Sequence, residues 1–509
     1  MIVISYMVAR LMQTFSNVTN YNPGPWVERI SMTLENDNDD IPHIRALVHD
    51  CTFGFDDVLD VTKLRKALHV LLQIGNWGQL GARLRLNSKG KLEYHIPTQY
   101  DDSRPAFIFT TTKHDTSIND HPLGSRLPRT SSSSKAPFLA PCAAEFGPLV
   151  CGDDSPQILR DWISSDLPQL RIHVVLFGDS TLLTITYPHT LMDAVGRSTF
   201  LRAWTAVLCG RPGDVPPFRD LSEDPLASLG GEAPGPSYIH ADRVLQGIGL
   251  VGFGIRHLFD LWFHRQEDHL LLLPGRFVER LRLQALQELS HSNDSYLSES
   301  DVLLSWWVRS VTRALDLSPD QMIMSMNMFE VRDLFADWFP TGSAYIGNAI
   351  FPSYTLLSVP DVTKGNIDTL AQENRRALSR HRTKEQVHAL ASLQSRSLLK
   401  TTPLVGDSNL VFMACTNHHK ARFFELDFSP AVVRPGVPLS GRANPLGRPS
   451  YVGNIEHSDG YPTRNLLRVM GKDAAGNWWL SCTLREGAWE KIVRDLDFAL
   501  MEMDHPSET

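Results

Sequence analysis

The chain of 509 residues sets 49 Lys and Arg against 57 Asp and Glu, a formal net charge of -8, with 42% apolar, 9% aromatic and 21% charged residues. So mild a charge without a long basic run leaves no support for nucleic acid or an anionic membrane as partner, and the apolar share argues against long-range disorder. The length exceeds what one hydrophobic core supports, so two lobes with a connecting segment are expected, and two lobes make a cleft.

The opening MIVISYMVARLMQ is apolar but short, with no basic residue ahead of its apolar run and no small-residue cleavage site, so a secretory signal is not expected. Cys51, Cys142, Cys151, Cys209, Cys415 and Cys482 are scattered without paired spacing, which fits reduced thiols in the cytoplasm. Behind Asp60 as a cap, Val61, Leu64, Leu68 and Leu71 recur at helical spacing, and KLEYHIP alternates Leu92, Tyr94 and Ile96 as a strand does. Residues 124–137, GSRLPRTSSSSKAP, lack periodicity and read as a surface insertion. RIHVVLFGDSTLLTITYPH reads as two strands joined at Gly178 and Asp179, and RSTFLRAWTAVLCG as a helix with Phe200, Trp204 and Leu208 on one face and Gly210 as its stop. Pro and Gly crowd residues 211–236, which sets the expected division at 1–210, a crossover 211–265, and 266–509. Farther on, Ser298 and Asp301 form a capping box before a helix carrying Trp306 and Trp307. An NWWLSCTL strand and a helix with Trp489, Val493, Leu496 and Leu500 on one face close an α/β pattern.

The stretch TITYPHTLMDAVG, residues 184–196, stops an alternating strand at Pro188, presents His189 at once and follows it with Asp193. Imidazole can accept a proton near neutral pH, and a strand end is a rigid place from which to present it. His189 is therefore a candidate general base, with a buried histidine that only packs as the alternative. A second His-x-x-x-Asp, His264 to Asp268 in FHRQEDH, lies in a charged stretch and is expected to be a solvated helix face or loop. GIGLVGFG has dinucleotide-like glycine spacing but no apolar strand before it, and the run to RHLFDLWFH is expected to pack on its own domain rather than span a membrane, an interfacial or tunnel-lining helix being the alternative. There is no G-x-S-x-G elbow and no H-E-x-x-H, and adjacent His418 and His419 lack metal-ligand spacing, so no metal is expected.

TKLRKALHVLLQIGNWGQLGARLRLNSKGKLEYHIP resembles the N-terminal helix and AGRL strand of the BAHD-type CoA-dependent acyltransferases, and YPHTLMDAVG closely resembles their HxxxD motif. SESDVLLSWWVR is similar to the family's Ser-x-x-Asp helix, and VRDLFADWFPTGSAYIGNAI to its Arg strand ending in a Gly-Asn pair, here Gly347 and Asn348. ELDFSPA stands where the family has DFGWG: Asp427 and Phe428 are kept, while Ser429, Pro430 and Ala431 replace Gly, Trp and Gly. The resemblance runs over most of the chain and is nearest to the fungal branch that includes trichothecene 3-O-acetyltransferase. Nonribosomal condensation domains fit less well, because Pro188 and Ala194 stand where they carry His and Gly.

What the resemblance implies is a two-lobed α/β fold of the chloramphenicol-acetyltransferase kind, with mixed sheets flanked by helices and a tunnel between the lobes. It implies His189 as catalytic base in a ternary complex without an acyl-enzyme. It has Asp193 turn away to pair with Arg332, two independent surface charges being the alternative, and it gives Asp427 to a structural element on the CoA side. Thr416 becomes a candidate oxyanion or CoA contact, and His418 stands where many relatives carry Trp near the acyl site. The expected reaction is O-acylation, acetylation foremost, of a hydrophobic terpenoid or polyketide alcohol, with acetyl-CoA as cosubstrate and no bound cofactor, by a cytoplasmic monomer. Transfer to an amine and a non-catalytic CoA- or ligand-binding relative are the alternatives, the second motivated by the altered DFGWG element.

Overall fold

A computed structural model describes residues 28–33, 41–129, 136–231, 237–288, 296–397, 401–458 and 464–504. The apolar N-terminal run and the serines of 130–135 lie outside the described residues, as does the side chain of Leu500.

Two mixed sheets carry the fold. The five-stranded one has the order Tyr451–Ser458, Leu47–Phe55, Thr181–Pro188, Arg171–Leu176, Ile108–Lys113. The seven-stranded one runs Ile350–Ser358, Met322–Glu330, Val411–Asn417, Leu466–Lys472, Trp478–Arg485, Gln266–Leu273, Phe138–Pro141. Each takes one edge strand from the other half of the chain: Tyr451–Ser458 joins the first, and Phe138–Pro141 joins the second.

Thr181–Pro188 is buried along its whole length, as befits a central strand covered on both faces. The turn before it is set by Asp179, whose carboxylate accepts from the Ile118 N–H at 2.9 Å and from the Ser117 hydroxyl. Asp60 caps the helix Val61–Leu72 by accepting from the Lys63 N–H at 3.0 Å. The helix Ala194–Leu208 lies against it, with Trp204 Nε1 donating to Leu64 O at 3.1 Å. Full burial of Phe200 on that face contributes about 1.5–3 kcal/mol. At Gly210 a φ of 71° turns the chain out of the helix. Ser298 and Asp301 form a reciprocal box at the start of Glu299–Ala314, which buries Trp307.

One expectation is corrected. FHRQEDH is neither helix face nor loop at its C-terminal end: Gln266–Leu273 is a strand paired along Trp478–Arg485. Leu270 to Leu273 are buried and carry the strand, which draws Asp268 into the ladder, where it accepts from the Thr483 hydroxyl. The helix Gly247–Phe263 packs Leu250 and Phe253 against the buried cluster that holds Leu245, Val405 and Leu410, as expected, though it buries none of its residues fully. Arg256 and Asp260 hold it to Ser408, Asn409 and Arg464, while Ile248 and Trp262 are 91% and 87% exposed. Among the described residues no helix is long and apolar enough to cross a membrane.

Candidate active site

His189 stands where the strand Thr181–Pro188 leaves the five-stranded sheet. Its N–H donates to Leu47 O at 2.9 Å and its carbonyl accepts from Asn348 Nδ2 at 3.0 Å, so backbone contacts hold it and the imidazole is left for other use. The ring is half-buried, and Nδ1 lies buried without a well-formed partner outside its own residue. No described residue engages Nε2 in a hydrogen bond. Burial pushes the ring's pKa below 6.5, against the pull of its own carbonyl, Glu456 and Asp193, so the imidazole is neutral at pH 7.

Asp193, 2% exposed, caps the helix Ala194–Leu208 through Oδ1, which accepts from the Gly196 N–H at 2.7 Å. Both carboxylate oxygens also accept from Arg332, Nη1 to Oδ2 and Nη2 to Oδ1, each at 3.1 Å. Arg332 lies two residues beyond the strand Met322–Glu330. It donates further to Gly347 O at 2.7 Å, and Ala349 N–H donates to Asp193 Oδ2 at 3.0 Å. Burial works against the Arg332 charge and Asp193 outweighs it, leaving the guanidinium above its ordinary pKa. Gly196 is required by close approach, since a Cβ there would lie 1.9 Å from Ile346 O. Gly196→Ala is therefore expected to lose about 1–3 kcal/mol by overpacking a rigid backbone contact, which chemical denaturation would register.

The remaining polar groups come from the end of a strand of the seven-stranded sheet and from the turn beyond it. Thr416, at the end of the strand Val411–Asn417, keeps a buried Oγ1 without a partner, and so does His418 at Nδ1. His418 N–H donates to Val469 O at 2.8 Å, and burial together with Arg197 and Arg468 holds its ring well below the usual range. Asp427 accepts from Ser429 N–H at 2.9 Å and closes its own turn, while Phe428 is buried with ring centres 5.2 Å from Phe55 and 5.8 Å from Trp204. His189, Asp193 and Arg332 are thus brought together, Thr416 lies at the end of a strand of the other sheet, and Asp427 belongs to a core-packed turn.

Sequence reading did not find His43, His49, Arg197 or Asn454. His43 sits electrostatically beside His189, and burial brings its pKa to about 4. His49 lies edge-on to His189, ring centres 4.6 Å apart. Arg197, 2% exposed, is stacked over Phe423 at 4.4 Å and donates to Tyr187 Oη at 2.9 Å, Asn454 Oδ1 at 3.3 Å and Cys51 Sγ. The available signal was the alternation of LVHDCTFGF, which puts His49 on one face with Cys51, Phe53 and Phe55. Among the described residues no group of three or more His, Cys, Asp or Glu is placed to hold a metal ion. What the arrangement offers chemically is a neutral base on a braced loop, with Thr416 Oγ1 and His418 Nδ1 buried and unpartnered at the end of a strand of the other sheet.

No family model matches the chain. It is 43% identical over 460 residues to acetyltransferase adrJ of Penicillium rubens, across 88% of this chain and 92% of that protein. O-acyltransferase pboC of Aspergillus ustus is 36% identical over 449 residues, 87% of this chain and 94% of its own. A protein named transcriptional regulator calD, from Penicillium decumbens, is 36% identical over 465 residues, 90% and 93% of the two chains. Among solved structures, F. graminearum TRI101 complexed with coenzyme A and deoxynivalenol has a TM-score of 0.66 at 14% identity, over 91% of this chain and 96% of that one. The last likeness is one of fold.

Proposed function

Since this chain belongs to the fungal branch of the BAHD-type CoA-dependent acyltransferases, we propose that it moves an acetyl group from acetyl-CoA to a hydroxyl of a hydrophobic terpenoid or polyketide alcohol. The observation that carries the site assignment is His189: a neutral, half-buried imidazole with Nε2 unengaged, on a loop braced by a buried ion pair. In this reading the acceptor O–H attacks the thioester carbonyl carbon while His189 Nε2 takes its proton. The tetrahedral oxyanion collapses, the C–S bond breaks, and the CoA thiolate recovers the proton from the imidazolium. Thr416 Oγ1 is the proposed donor to that oxyanion or to the thioester, and Asp193 with Arg332 positions the histidine loop. The turn of Asp427 supports the CoA side.

The lobes 1–210 and 266–509, joined through 211–265, are proposed to meet at a tunnel at His189. A ring that keeps accessible surface while burial dominates its titration suits the wall of such a passage. All six cysteines are free, which supports a reducing cytoplasmic setting, and the proposed active form is a monomer.

The test is free-thiol release from acetyl-CoA by the purified protein with a panel of terpenoid and polyketide alcohols and an amine, the products identified by mass spectrometry. Release with an alcohol supports the reading. A second reading, binding without turnover, rests on the changed Ser429–Ala431 element and on the regulator name given to one relative. It predicts saturable CoA binding with no thiol release from any acceptor. For the active protein, the base is present above the folded pKa of His189 and lost as pH falls through it. Because that pKa is lowered, the acid limb of kcat/KM is expected to have its midpoint below pH 6.5, in a pH profile taken at low substrate.

A further inference from the structure

His49 is 7% exposed and faces Tyr187 and Glu456 across the two strands beside its own. Its tautomer follows from its neighbours. Arg197 has only donors, so the end of the Asn454 amide that it meets at 3.3 Å is the oxygen, which also accepts from Cys51 Sγ at 2.7 Å. The other end of that amide is then the NH2, and it lies 3.2 Å from His49 Nδ1. A donating amide requires an accepting ring nitrogen, so Nδ1 is bare and the proton of the neutral ring sits on Nε2. No described residue accepts from that Nε2–H. The residue is buried, its Nε2–H is left without an acceptor among the described residues, and the ring that carries it touches His189. The chain from Arg197 through Asn454 to His49 runs donor to acceptor throughout, so the buried cation polarises the imidazole N–H. Burial, and then His189, Arg197, Arg468 and His418, oppose protonation of the ring, which keeps it a neutral donor.

We propose that His49 is a second catalytic imidazole, whose Nε2–H donates a hydrogen bond to the carbonyl oxygen of the thioester as that oxygen becomes the tetrahedral oxyanion. The inference rests on the acyl-transfer reading above. No proton leaves His49: the acceptor's proton goes to His189 and thence to the thiolate, and His49 lowers the barrier between as a neutral donor can. Arg197, Asn454 and Cys51 are positioning residues for it.

The experiment compares full-length wild type with His49→Ala, His49→Gln, Asn454→Leu and His189→Ala, using acetyl-CoA and the first panel alcohol found to be acetylated. His49→Ala is expected to lower kcat about 10²–10³-fold with KM for acetyl-CoA within about threefold. His49→Gln, which carries an N–H in nearly the same place, is expected to recover at least about tenfold of that loss, and neither variant should move the acid limb of the pH profile, which belongs to His189. Long-range proton–nitrogen NMR on histidine-labelled wild type is expected to show the Nε2–H tautomer at His49, lost in Asn454→Leu. A folded His49→Ala with kcat within threefold of wild type, a Gln variant no better than Ala, or an Nδ1–H tautomer each overturns the proposal. Should the Ala variant not fold, the Gln variant and the tautomer decide. A dead His189→Ala beside an active His49→Ala removes only this inference, whereas an active His189→Ala removes the base assignment on which it stands.

Discussion

His189→Ala is expected to lower kcat by about 10²–10⁴-fold, the range that a positioned general base contributes, while the protein stays folded and still binds CoA. The fold should tolerate the change because the contacts that hold residue 189 are backbone ones. Its N–H reaches Leu47 O, its carbonyl is gripped by Asn348, and neither involves the imidazole. What disappears is a half-buried ring whose Nδ1 is unpaired, so the loss in stability should be small beside the loss in rate. Denaturation and CoA titration of the variant establish that it is intact, and added imidazole should restore part of the rate if the missing function is proton transfer. Wild-type turnover in a folded His189→Ala would falsify the base assignment. A rate that falls together with CoA affinity would instead place His189 in binding.

Much of this architecture could be read from local rules. Asp60, Gly210 and the Ser298–Asp301 box are chemistry acting within one turn of the chain, and the structure uses each as a cap or a stop. Pro188 and His189 were legible for the same reason, as a strand end followed by a helix start. FHRQEDH misled because its charges were weighed and the four leucines after it were not: pairing with Trp478–Arg485 decided its conformation. For Gly247–Phe263 the packing of Leu250 and Phe253 was legible, while the exposure of Ile248 and Trp262 was not, since apolar spacing says which residues share a face but not whether anything covers it. His49 and Asn454 are 405 positions apart and meet only because Tyr451–Ser458 crosses into the sheet of Leu47–Phe55. No pattern within a window of sequence carries that. Arg332 was reached through resemblance alone, its 139-residue separation from Asp193 being invisible to periodicity.

Asp193→Ala should be the most damaging substitution to stability, at about 3–5 kcal/mol, because it strands the guanidinium of Arg332 in a buried place. It also removes the helix cap at Gly196, worth about 1 kcal/mol by itself. Glu330, whose side chain lies 3.5 Å from Arg332 Nη1, offers only partial compensation, since burial already raises its pKa and disfavours its charge. Asp193→Asn separates the two losses: one oxygen can still accept from Gly196 N–H, while the charge is gone. It should therefore fold, with a stability between those of wild type and Asp193→Ala. Activity should fall in both variants by a route that can be traced. Arg332 holds Gly347 O, Asp193 holds Ala349 N–H, and Asn348 between them grips the carbonyl of His189. Loosening residues 347–349 frees the histidine from its place without touching a substrate site, so kcat should drop while KM for acetyl-CoA stays within a few-fold. In a double-mutant cycle, Asp193→Ala combined with Arg332→Met should cost less than the two single losses added, because the pair removed together leaves no stranded guanidinium. Strict additivity would mean that the two charges do not depend on each other, and that the histidine loop owes its position to the backbone contacts of Leu47 and Asn348.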